Sequence, residues 1–96
     1  MTNKLKCKEL DDLFRAVLSL ESVEECYSFF DDLCTVSELR AMQQRWKVAC
    51  MLDKGHVYAD IVRDTGASTA TISRVNRALN YGAEGYQLAL SRRGSE

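Results

Sequence analysis

Through the first half of this chain, apolar residues recur at i, i+3, i+4 and i+7. That spacing constrains the fold more than any other feature. Leu10, Leu13, Phe14, Val17 and Leu18 fall on one face of a helix. Val23, Cys26, Tyr27, Phe30, Leu33 and Cys34 form a second stripe, and Leu39, Met42, Trp46, Ala49 and Cys50 a third. Helix starts sit between them. Ser22 offers an N-cap with Glu25 three residues on, and Thr35 pairs with Glu38 in the same way. Lys54-Gly55 gives the third helix a basic last turn and a glycine stop. The 96 residues include no proline and only five glycines, which favours helices joined by tight turns over strands.

Beyond Gly55 the segments shorten. "YADIVRDTG" reads as a two-turn helix with Ile61 and Val62 inward, ending at Gly66. "STATISRVNRALN" follows, capped by Ser68, and "AEGYQLALSRR" makes a last helix with Tyr86, Leu88 and Leu90 as its apolar residues. The expectation is an all-α chain of six helices, with "RRGSE" as a frayed tail. A single domain is expected over residues 1–96: helices at 1–56, a helix-turn-helix at 57–80, then a C-terminal helix and tail at 81–96. A hydrophobic content of 46% is high for so short a chain, so a partner subunit could absorb part of it.

Several function classes are excluded early. Cys7, Cys26, Cys34 and Cys50 form no CxxC pair, and His56 has no companion at metal-ligand spacing, so no metal is expected. Three of the cysteines lie on apolar stripes and read as buried structural thiols. No apolar run approaches the ~20 residues that cross a bilayer, and no signal peptide is evident; a cytoplasmic location is expected. One histidine and no inward carboxylate pair leave no catalytic site, so the chain is not read as an enzyme. Net charge is −1, but unevenly spread. Residues 1–34 carry four basic and eight acidic side chains, residues 35–56 four and two, and residues 57–96 five and four. An anionic partner would therefore meet the second half.

Residues 58–77 fit the helix-turn-helix template of two helices at a steep angle joined through a short turn that often holds glycine. Gly66 stands where that turn needs a positive φ. On the second helix, Ile72, Val75, Ala78 and Leu79 cluster on one arc. Ala70, Ser73, Arg74 and Arg77 face the other way, with Thr69 and Asn80 on the flank. Small residues at the start of that helix let its backbone enter a major groove about 12 Å wide. Arginines further along can reach guanine edges or grip phosphates in bidentate fashion.

The runs "LCTVSELRAMQQRWKVACML" and "TGASTATISRVNRAL" resemble the tryptophan repressor superfamily, closest to its TrpR-related YerC/YecD branch. The resemblance spans about residues 10 to 90 and implies a six-helix TrpR-like fold. It also implies an intertwined homodimer presenting two helix-turn-helix units to double-stranded DNA, with no membrane role. The Trp repressor is a standing example of this docking and of water-mediated base contacts, so both come from the resemblance. It assigns DNA contacts to Ala67, Ser68, Thr69, Ala70 and Ser73, with Arg77 beside them, and the outward arc adds Arg74 as a DNA-contact candidate. It matches Arg45 and Arg74 to two arginines that sandwich an indole ring, and Thr35 and Thr71 to residues lining that ligand pocket. The family's glycine after the second arginine is Val75 here, and its amino-holding serine is Ala78. An isopropyl group in a slot for a flat ring costs roughly 1–3 kcal/mol. A lost polar partner costs about 1 kcal/mol more. L-tryptophan is therefore not expected as a cofactor, which leaves room for an unidentified small-molecule effector.

The expected function is a sequence-specific transcriptional regulator, a repressor, reading a pseudo-palindromic operator. The alternative is a helix-turn-helix-like protein-interaction module whose outer arginines meet acidic side chains. The acidic pI of about 5.8 leans that way.

Overall fold

The computed structural model describes residues 4–93. They form α1 (Lys8–Leu18), α2 (Val23–Leu33), α3 (Val36–Asp53), α4 (Tyr58–Thr65), α5 (Thr69–Tyr81) and α6 (Gly85–Arg92). No strand occurs among the described residues. The all-α, six-helix expectation holds. The chain divides into two compact units, Met1–Leu39 and Arg40–Glu96, with the division inside α3.

In the first unit the Thr35–Glu38 capping box forms as its residues suggest, whereas at Ser22 the return bond from Glu25 goes to the residue before the cap. Ser22 Oγ accepts from Glu25 N–H at 3.1 Å, while the Glu25 carboxylate accepts from Glu21 N–H at 2.9 Å. Thr35 and Glu38 bond reciprocally, at 3.1 and 2.8 Å, and open α3. The bond from the Thr35 N–H, then that of its hydroxyl, lowers the Glu38 pKa from its ordinary 4.5. Phe29 and Phe30 meet edge to face with centroids 5.4 Å apart. Nevertheless α1 and α2 contain no buried residue. Phe14, Leu18, Val23, Tyr27 and Leu33 all remain exposed.

The second unit has a core. Val48, Ala49 and Met51 of α3 join Ile61, Ala67, Ile72 and Val75, with Leu52 and Tyr86 packed against them. A buried run at Val48, Ala49, Cys50 and Met51 means α3 is covered on more than one side there.

Several inward assignments need correction. Met42 is exposed, and so is Val62 on α4, since Ile61 alone fills the core side of that two-turn helix. Of the apolar residues of α6, Tyr86 and Leu90 are half-buried and Leu88 is exposed. Of the four thiols only Cys50 is buried; Cys7 is exposed, and Cys26 and Cys34 are half-buried, because the faces of α1 and α2 are uncovered. Two residues of the expected frayed tail belong to α6 and its cap. Arg92 ends α6 and Arg93 caps it, partly buried; the remainder lies outside the described residues.

Candidate nucleic-acid interface

Local bonds build the turn between α4 and α5. The Thr65 hydroxyl donates to the Ile61 carbonyl at 2.7 Å and accepts from Ala67 N–H at 3.1 Å. Gly66 adopts φ 72, and its N–H donates to the Val62 carbonyl at 2.9 Å. From α3, Gln44 Nε2 donates to the Thr65 carbonyl at 3.1 Å, which satisfies a helix-end acceptor that has no intrahelical donor. Ala67 then drops into the core at 2% exposure. This corrects its place among surface contacts: its methyl group packs on the core, and only its backbone lies in the turn.

Ser68 starts the second helix. Its Oγ accepts from Thr71 N–H at 3.1 Å and donates to Thr71 Oγ1 at 3.1 Å. Both hydroxyls are thus engaged in the cap. The buried arc of α5 is Ile72, Val75 and Leu79, with Ala78 half-buried beside it. The opposite side exposes Thr69, Ala70, Ser73, Arg74, Arg77 and Asn80. Arg74 and Arg77 have no ion-pair partner among the described residues. Two guanidinium groups thus stand beside a row of hydroxyls and methyls, on a helix whose other side is fixed by packing.

Arg63 on α4 differs. It bonds Asp64 at 3.0 Å and Asp60 at 3.1 Å, and the Asp64 contact, then Asp60, pushes its pKa above the ordinary value. The two carboxylates neutralise this guanidinium locally, unlike those of Arg74 and Arg77. The spacing Asp60-x-x-Arg63-Asp64 carried that signal in the sequence, as an i, i+3 pair followed by an adjacent acid.

The residues matched to a ligand pocket are spread over the chain. Thr35 caps α3 with its hydroxyl bonded to Glu38, Arg45 is half-buried on α3, and Thr71 is engaged by Ser68. Val75 is 1% exposed inside the core. Among the described residues no cluster of His, Cys, Asp and Glu could hold a metal ion, and no helix is long and apolar enough to cross a membrane.

Fold and surface together define an all-α helix-turn-helix protein. A family model described as Trp repressor protein matches residues 8–94. The uncharacterized protein YerC of Bacillus subtilis (strain 168) is 58% identical over 90 residues, which covers 94% of this chain and 86% of that one. A TrpR like protein from Eubacterium eligens ATCC 27750 has a solved structure that superposes with a TM-score of 0.90 at 52% identity, over 95% of this chain and 94% of that one. A Staphylococcus aureus crystal structure gives a TM-score of 0.88 at 54% identity, over 93% and 89%. The chain belongs to the Trp repressor family, a family of DNA-binding regulators rather than enzymes, and to its YerC branch.

Proposed function

We propose that the chain is a homodimeric transcriptional repressor that reads a pseudo-palindromic operator in double-stranded DNA through α5. The observation that carries this reading is the outward side of α5: Thr69, Ala70 and Ser73 are small and exposed, and Arg74 and Arg77 are unpaired beside them. Short side chains let the helix lie deep in the major groove, and the arginines bond guanine edges or phosphates.

Residues 1–56 form the dimerisation helices, residues 57–80 the reading unit and residues 81–96 the C-terminal helix and tail. The uncovered apolar residues of α1 and α2 support a second copy as their cover. Two-fold symmetry then sets two copies of α5 about 34 Å apart, one turn of duplex. Occupying such a site blocks polymerase.

Val75 fills the core where the family's glycine would leave a slot, and this favours control without L-tryptophan. Protein concentration, or a different effector, then sets occupancy.

The test is selection of bound duplexes from a random pool, with and without L-tryptophan. A two-fold symmetric consensus that ignores tryptophan is expected. Arg77→Ala should weaken binding to every duplex and lower the salt slope by about one. Thr69→Ala or Ser73→Ala should change sequence preference instead. A protein that passes through heparin and shifts no duplex at low salt is a protein-interaction module, and the proposal fails.

A further inference from the structure

Gln87 lies on α6, outside the helix-turn-helix, yet its Nε2 donates to the Leu79 carbonyl of α5 at 2.6 Å. Leu79 is in the last turn of α5, where a carbonyl has no i+4 N–H to accept from. The Ala78 carbonyl just before it is taken by Gly82 N–H at 2.9 Å. A side chain of the next helix therefore closes the end of the reading helix.

α6 is itself tied to α3 at two points. The Tyr86 ring stacks on Trp46, with centroids 6.4 Å apart and planes 17° from parallel. Arg93, the cap of α6, donates from Nη1 to Cys50 Sγ at 2.9 Å, and its guanidinium carbon lies 6.0 Å from the Trp46 ring centroid. Trp46 and Cys50 are four residues apart, one turn of α3.

The connection from α5 to α6 is also confined. A Cβ on Gly82 would strike the Ala78 carbonyl oxygen. Glu84 takes φ 70, a left-handed conformation costly for any residue with a side chain. A short helix entered through a strained turn and fastened at both ends is built to hold one position.

We propose that α6 is a brace that sets the tilt of α5, with Gln87 and Arg93 as positioning residues for base reading. The inference rests on α5 being the DNA-contacting helix. Base-edge bonds demand close placement, whereas flexible arginines still reach phosphates after a small tilt. Releasing the brace therefore lowers discrimination and spares salt-dependent affinity.

The test uses the full chain, an operator duplex chosen by selection, and a scrambled duplex of the same length. Trp46, the single tryptophan, reports the clasp by its fluorescence. Arg93→Ala should change Trp46 emission and weaken operator binding roughly tenfold, about the effect of one mismatched base pair. Scrambled-duplex affinity and salt slope should stay at wild-type values. Arg93→Lys should restore part of the operator affinity, and Gln87→Ala should repeat the selective loss. If far-UV circular dichroism shows Arg93→Ala unfolded, Gln87→Ala decides alone, since it removes an exposed side chain.

Operator affinity unchanged in the folded variants overturns the brace. Unchanged Trp46 emission in Arg93→Ala does the same. So does an equal loss on both duplexes with a reduced salt slope, which would make Arg93 a phosphate contact. A wild-type chain that binds no duplex overturns the DNA reading itself, and the positioning roles with it.

Discussion

Residues 4–39 and residues 40–93 both carry apolar helical faces, yet only the second set closes into a core. Every buried side chain of the described residues falls between Val48 and Leu79. Leu18 and Tyr27, by contrast, are 82% and 76% exposed. The helical period says that a face exists; it does not say what covers it. In the second unit short helices fold back on one another, so Ile61, Ile72 and Val75 share one core. In the first, the apolar faces of α1 and α2 stay exposed.

The sharpest way to break this contrast is core truncation. Ile72→Ala should cost about 2–5 kcal/mol in urea unfolding and remove DNA binding with it. A loss no larger than that of a surface change would mean that the second unit does not depend on its core. Leu18→Glu combined with Tyr27→Glu should act on association instead. Sedimentation should show the dimer dissociating at concentrations where the wild type stays paired, and the concentration dependence of Tm should shift with it. A monomeric wild-type protein would leave the bare faces of α1 and α2 with no second copy to cover them.

Gly66→Ala probes the turn. Nothing lies within 4 Å of an added Cβ, so the cost is conformational, roughly 1–2 kcal/mol from φ 72 alone, read as a lowered denaturation midpoint. The smallest effect belongs to Glu38. Its folded pKa is lowered, so the stability it adds is present above its ordinary 4.5 and is lost as pH falls through the folded value. Glu38→Gln keeps an acceptor for Thr35 N–H but cannot titrate. It should flatten the acid limb of the stability–pH curve slightly and leave neutral pH almost unchanged. An unaltered acid limb would detach the capping box from acid stability.

Much of the fold is legible in the residues. Capping boxes, the Gly66 turn and the two arcs of α5 are short-range features in which a residue and its partner lie within about a turn of each other. The membership of Arg74 and Arg77 in an exposed face follows from the period alone. Ala67 is harder to place, because a turn residue has no period to show which way its methyl points. Arg93 reads as part of a frayed tail because Cys50, its partner, lies 43 positions away. Gln44 and Gln87 are silent for the same reason: each bonds a distant carbonyl, and a glutamine in a helix carries no mark of where its amide will go.

By itself the sequence determined the six helices, their starts and stops and the outward side of α5, because hydrogen bonds and the 3.6-residue period act locally. Tertiary structure alone decided which apolar faces were covered, that Ala67 turns into the core, and that α6 bonds to α5 and α3. Those outcomes depend on residues brought together from far apart in the chain, a relation no local pattern encodes.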